Sequence, residues 1–287
     1  MATMSTAAEL IEQGLHHHHR GEVALAMDRY TEVLRNDPRN ADALYYIAVV
    51  ACQEGQFAQG IDLARRSLSF RPGQARAHNL VGQALHRQGQ IKDALAAFDS
   101  ALECDVDFAD AYANRANMLS ALGRHAEALS SFDRAVALKP GEAAEWLNRG
   151  ATLRAMGRLD EAIKSFDRAL ALDPDFALAH FSRADVLREQ RRFQDALAGY
   201  DRALAAAPEA AHAHLARGLA LKELGRLEEA LASVARAIEL KPDFAGAYRG
   251  RAAVLTALGR AEEARQARAQ AAELEAKAAE PAGPSQG

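Results

Sequence analysis

A chain of 287 residues with 49% hydrophobic side chains has enough material for one large core or two ordinary ones. Its 35 Lys and Arg against 39 Asp and Glu leave a net charge of −4, which argues against a nucleic-acid or anionic-membrane surface and points to protein partners. Cys52 and Cys104 stand in no CxxC or metal-ligand spacing, no basic block and apolar run opens the chain, and the most apolar stretch, Leu44 to Cys52, falls far short of the roughly 20 residues that span a bilayer. The expectation is a cytoplasmic chain with no membrane segment.

Prolines 38, 72, 140, 174, 208 and 242 fall on one 34-residue grid whose single gap is Val106. Laid from Ala7, that grid divides the chain into eight units, 7–40, 41–74, 75–108, 109–142, 143–176, 177–210, 211–244 and 245–278. Residues 1–6 and 279–287 fall outside the units and read as disordered, the latter from its Pro-Ala-Gly-Pro-Ser-Gln-Gly composition.

Taken in order, each unit reads as helix, turn, helix. The first has a small residue at its eighth place (Gly14), glycine at the fifteenth (Gly21), a small residue at the twentieth (Ala26) and a ring at the twenty-fourth (Tyr30). The second repeats this with Ala48, Gly55 and Gly60, but Ala64 replaces the ring; the third has Gly82, Gly89, Ala94 and Phe98. The fourth and fifth follow with Ala116, Gly123, Ala128, Phe132 and Gly150, Gly157, Ala162, Phe166. In the sixth, Ala184, Ala196 and Tyr200 keep the pattern while Arg191 takes the glycine place. The seventh has Gly218, Gly225, Ala230 and Val234, and the eighth Ala252, Gly259, Ala264 and Arg268. Small residues at places eight and twenty let two helices approach closely, the ring one turn further along fills the remaining space, glycine suits a left-handed helix end, and proline stops the second helix. The polar helix from Glu262 to Glu280 reads as a solvating cap.

These residues resemble the tetratricopeptide repeat, with its W-x2-L-G-x2-Y, A-x3-F and P signature. The fifth unit matches best, through Trp146, Gly150, Leu153, Ala162, Phe166 and Pro174, with Arg149 in place of the usual leucine. The resemblance implies an all-α fold, a right-handed α-solenoid of eight helix-turn-helix repeats of about one superhelical turn, whose first helices line a concave groove. The array style is also similar to the recognition halves of bacterial O-linked N-acetylglucosamine transferase-like proteins, without a catalytic half. Family members that bind chaperone C-termini carry lysine and asparagine at the fifth and ninth places of one repeat, and no unit here does so.

No insertion interrupts the grid, and Gly-rich phosphate loops, HExxH and GxSxG are absent, so the expectation is no enzyme, no catalytic residue and no cofactor. His16 to His19 run along one helix and cannot converge, and the row His18, Cys52, His86 at the twelfth place spans helices about 10 Å apart, so no metal site is expected. Arg115, Arg149, Arg183, Arg217 and Arg251 recur at the seventh place, and Asp99, Asp133, Asp167 and Asp201 at the twenty-fifth place of the preceding unit. Pairing is favoured over ligand binding.

Places two, six, nine and thirteen lie opposite the packing stripe, flanked by five and twelve. They supply an apolar end (Ile11, Leu15, Tyr45, Tyr46, Val49), an amide centre (Asn79, Gln83, Asn114, Asn117, Asn148) and an apolar-basic end (Phe181 with Arg154, Arg188 and Lys222). Such a groove suits a protein or peptide partner with an acidic element, and the first unit's uncovered flank suits self-association. The expected function is an interaction scaffold; the alternative is the substrate-recognition part of a glycosyltransferase.

Overall fold

The computed structural model describes residues 6–279, which form sixteen helices and short connections; residues 1–5 and 280–287, and with them most of both segments expected to be disordered, lie outside the described residues. No strand occurs among the described residues. The chain divides into two compact units, Met1–Pro140 and Gly141–Gly287. The first holds α1 (Ala7–His19), α2 (Val23–Asn36), α3 (Ala41–Gln53), α4 (Phe57–Phe70), α5 (Ala75–Arg87), α6 (Ile91–Cys104), α7 (Ala109–Ala121) and α8 (His125–Leu138). The second holds α9 (Ala143–Ala155), α10 (Leu159–Leu172), α11 (Ala177–Glu189), α12 (Phe193–Ala206), α13 (Ala211–Glu223), α14 (Leu227–Leu240), α15 (Ala245–Ala257) and α16 (Ala261–Ala279). Within each unit every odd helix packs on the even helix that follows it, and that helix packs on the next odd one. The fold is therefore an all-α tandem array of helical hairpins.

Thr6 starts α1 with a capping box: its N–H donates to Glu9 Oε2 at 2.8 Å and the Glu9 N–H donates to Thr6 Oγ1 at 3.3 Å. Between the two helices of a repeat the chain turns through one left-handed residue. After α1, the Gly21 N–H donates to the His18 carbonyl at 3.0 Å and the Glu22 N–H to the His17 carbonyl at 2.9 Å, the Schellman arrangement. Seven glycines at this place have φ between +72° and +79°. Arg191 closes the same two bonds with φ +61°, without the freedom that glycine brings.

The hairpin core is a ring laid over a small residue. Tyr30, Phe98, Phe132, Phe166 and Tyr200 are all buried. A Cβ added to Gly14 would lie 2.3 Å from Tyr30 Cε1, and one added to Gly82 or Gly150 would lie 2.5 Å from Phe98 Cε1 or Phe166 Cε1. In the second repeat, where Ala64 replaces the ring, the opposing contact is Cys52 Sγ on Gly60. Behind the rings runs a column of buried leucines, Leu85, Leu119, Leu153, Leu187, Leu221 and Leu255. Each contributes about 1.5–3 kcal/mol by leaving water.

The expected ion pairs form within the units: Arg115–Asp99, Arg183–Asp167 and Arg217–Asp201, each 2.6 Å. Arg115 also donates to Ser131 Oγ at 2.7 Å, tying α7 to both α6 and α8, and Arg149 donates to Ser165 Oγ at 2.6 Å. All are partly solvated, so each pair adds only about 0–1 kcal/mol and acts chiefly to fix alignment. The sequence pattern left a second ladder unnoticed. Arg124–Glu127, Arg158–Glu161, Arg192–Asp195, Arg226–Glu229 and Arg260–Glu263 clamp the first turns of α8, α10, α12, α14 and α16. In α16 only Ala264, Ala267 and Ala271 are buried, and Arg268 is exposed with its guanidinium on Thr256 Oγ1. Its exposed side carries Glu262, Arg265, Gln266, Arg268, Gln270, Glu273, Glu275 and Lys277 among alanines.

Two exceptions to the repeat pattern make opposite predictions from those of ordinary surface substitutions. Arg191→Gly relieves a left-handed residue and is expected to stabilise by about 1 kcal/mol. Val106→Pro is expected to stabilise by about 0.4–1 kcal/mol. The preceding Asp105 has φ −143° and ψ 101°, close to Asp37 (−137°, 90°) and Asp173 (−133°, 93°), both of which precede prolines, and the Val106 N–H makes no backbone bond. Urea unfolding of each variant checks both; a lowered midpoint for either contradicts its assignment.

Candidate functional site

On the face made by the first helices, the first compact unit contains two adjoining clefts of about 560 Å³ each. One is lined from α3 by Val49, Cys52 and Gln53, from α5 by Leu80, Gln83, His86 and Arg87, and from α7 by Asn114, Asn117 and Met118. The other contains Tyr45, Val49, Arg76, Asn79, Leu80, Gln83 and Lys139, with Asp105, Asp107 and Asp110. They share Val49, Leu80 and Gln83, so they run into one another along α5.

The structure gathers part of the expected amide centre and rearranges the rest. Gln83 is exposed and Asn114 and Asn117 are half-buried in the first cleft, but Asn79 is buried and its Oδ1 accepts from Asn114 Nδ2 at 3.0 Å. Place five faces the next first helix rather than solvent, so Asn79 anchors Asn114 instead of offering its carbonyl to a partner. Asn148, in the second unit, is half-buried, and its backbone carbonyl accepts from Thr152 Oγ1.

The expected apolar end is thinner than a free patch. Ile11 packs against Leu10, Val33 and Ala43, and Leu15 is half-buried; neither lines the clefts. Tyr46 stacks on buried Tyr30 at 5.4 Å between ring centroids, and Tyr45 meets Tyr46 edge-on at 5.1 Å. Tyr45 and Val49 pack against the core of the second and third repeats while their outer edges line the clefts.

The cations of the expected basic end are engaged within the chain. Arg154 is engaged by Asp185 at 3.2 Å and Glu189 at 2.5 Å; Arg188 donates to the Tyr200 hydroxyl and lies 3.8 Å from Asp185. Lys222 pairs with Glu223 at 2.7 Å. Burial works against the Arg154 charge, and its bonds to Glu189 and Asp185 outweigh it, raising its pKa. These cations are neutralised within the chain and give no free basic surface. Phe181 lies 5.7 Å from Tyr200 and borders an apolar depression with Leu178 and His212. His18, once aligned with Cys52 and His86, bonds Gln53 Oε1 at 2.7 Å, and burial pushes the Cys52 thiol up.

Sequence reasoning missed Gln53, Arg76 and Arg87. All three were within its reach, because they occupy places thirteen and two, which helix geometry already assigned to this face.

With this geometry in view, the comparisons with known proteins fit one class. The tetratricopeptide repeat model matches residues 80–143, 147–211, 183–243 and 215–285, so the chain belongs to the tetratricopeptide repeat family. A model of anaphase-promoting complex, cyclosome, subunit 3 matches residues 19–101. Among curated proteins, the Protein CTR9 homolog of Arabidopsis thaliana is 33% identical over 93 residues, covering 32% of this chain and 8% of that protein. The probable UDP-N-acetylglucosamine--peptide N-acetylglucosaminyltransferase SPINDLY of Hordeum vulgare is 28% identical over 96 residues, 31% of this chain and 10% of that protein. The chain thus spans about a tenth or less of the length of the curated relatives it matches. Among solved structures, YrrB, described as a TPR protein with an unusual peptide-binding site, superposes with a TM-score of 0.58 at 21% identity, over 64% of this chain and 95% of that one. That likeness is one of fold.

Two buried tyrosines at the twenty-fourth place should respond oppositely to losing a hydroxyl. The Tyr200 hydroxyl donates to Asp185 Oδ1 at 2.7 Å, whereas the Tyr30 hydroxyl is buried with no partner among the described residues. Tyr200→Phe is expected to cost about 1–2 kcal/mol, and Tyr30→Phe to be neutral or stabilising at pH 7. Burial, and secondarily Tyr46, pushes the Tyr30 phenol up to about 12. A phenol whose folded pKa is raised keeps its full stability below the unfolded value near 10 and loses it as pH rises from there toward 12. Tyr30→Phe should therefore also flatten the alkaline loss of stability; equal costs for the two variants in urea unfolding would contradict the assignment.

Proposed function

We propose that this protein is an interaction scaffold that holds an extended segment of a protein partner along the clefts of its first compact unit. The observation that carries this reading is the amide lining supplied by three successive first helices: Gln53 from α3, Gln83 from α5, and Asn114 and Asn117 from α7. A primary amide both donates and accepts, so it matches the alternating N–H and C=O groups of an extended chain without demanding a particular sequence. Cleft walls of Val49, Leu80 and Met118 add apolar contact for alternate side chains. The family supports the general role, and the unusual peptide-binding site ascribed to YrrB supports a peptide as ligand.

A second reading, the substrate-recognition part of a glycosyltransferase, draws on the SPINDLY match. In it the same clefts hold the acceptor polypeptide, and a catalytic domain encoded in the same frame distinguishes it from a free-standing scaffold.

The scaffold reading is tested by selecting a random displayed-peptide library on the full chain and measuring the binding of selected peptides by fluorescence anisotropy. Asn114→Ala with Asn117→Ala is expected to weaken binding by about five- to a hundredfold with helicity retained, from loss of two hydrogen-bonding side chains at about 0.5–1.5 kcal/mol each. An empty selection, or undiminished binding by the folded double variant, would remove the basis for this site.

A further inference from the structure

We infer that the clefts of the first unit select a partner segment carrying an internal acidic side chain, whose carboxylate is received by Arg87. This rests on the scaffold reading and adds the chemistry that the partner must bring.

Among the described residues lining the cleft around Gln83 and Asn117, Arg87 is the full positive charge, His86 lies beside it, and no carboxylate is present. The guanidinium sits over the Phe57 ring, 5.5 Å from its centroid, and has no ion-pair or hydrogen-bond partner among the described residues. This contrasts with Arg154, Arg188 and Lys222 in the second unit, where acidic neighbours already fill the role an incoming carboxylate would take. An arginine held on an aromatic face keeps its donor edge available for an anion.

Position along the cleft is set by the other end. There Asp105, Asp107 and Asp110 outnumber the lining cations Arg76 and Lys139; Lys139 is paired with Asp110 at 2.5 Å and Arg134 with Asp107 at 3.4 Å. That end disfavours a second acidic group, so the carboxylate belongs beside Arg87. Because the two clefts continue into one another through Val49, Leu80 and Gln83, a bound chain passes through rather than stopping. This favours a side-chain carboxylate over a chain-terminal one. The amides flank the path: Gln83 and Asn117 have no hydrogen-bond partner among the described residues, and Gln53 has its Oε1 engaged by His18 but its Nε2 free to donate.

The test uses the full chain and a random peptide library with amidated C-termini. Each enriched peptide is resynthesised with its Asp or Glu changed to Asn or Gln, and binding is measured for the parent protein, Arg87→Gln and Arg87→Lys. Selection is expected to enrich an acidic residue at a fixed place. Loss of that charge should weaken binding to the parent about tenfold, which corresponds to about 1.4 kcal/mol. Arg87→Gln should bind both peptides equally, and Arg87→Lys should keep part of the preference; Arg87 is exposed, and circular dichroism verifies the fold of each variant. Enriched peptides that depend on Asn114 and Asn117 but ignore acidity would overturn this inference while leaving the scaffold reading intact. So would an acidic preference that survives Arg87→Gln, or tight binding that appears only when the same sequences are given a free C-terminal carboxylate. An empty selection would overturn both.

Discussion

The contact on which the rest depends is the ring at the twenty-fourth place lying on a small residue at the eighth. Where Tyr30, Phe98 and Phe166 cover Gly14, Gly82 and Gly150, even one added methyl carbon would collide with the ring. The close approach this permits sets the separation of the two helices of a hairpin. That separation in turn decides which residues of each first helix are left outside the core. Burial of the rings and of the leucine column supplies the hydrophobic stabilisation, while the Arg–Asp pairs between neighbouring hairpins are too solvated to add much and serve to align them.

Much of this was legible because the packing positions recur. Eight small residues each identify places eight and twenty, and five rings identify place twenty-four, with little dependence on any single residue, and the glycine column marked a left-handed turn that Arg191 also adopts. The Arg–Asp ladder was legible for the same reason. The Arg–Glu clamp ladder was equally periodic, yet both partners sit in one helical turn on the surface, where charged residues are common and draw no notice.

The site was less legible because its residues change from repeat to repeat. At the ninth place, Leu15, Val49, Gln83 and Asn117 follow one another, so no column average describes them. Helix geometry indicated the face that carries the clefts, but deciding which residues on it are free needs the neighbouring helix. Asn79 is taken up by Asn114; Arg154 and Arg188 are taken up by Asp185, Glu189 and Tyr200; Arg87 is not taken up. Sequence alone ranked the second unit's cations as the basic end because three of them share the twelfth place, and it could not see that the counter-ions of Arg154 lie one repeat further along.

The unequal ninth place has a consequence for how a long flexible ligand would be held. A strictly repeating surface offers the same contacts after every displacement of one hairpin, so a chain lying on it can slide between equivalent settings and has no unique alignment. Here the core columns are near-copies of one another, but Val49, Gln83 and Asn117 present an apolar side chain, a long amide and a short amide on three successive first helices. A one-hairpin shift would therefore exchange an apolar contact for an amide and an amide for another of different reach. The array is periodic where it packs and aperiodic where it faces outward, as a ruler with distinguishable marks is.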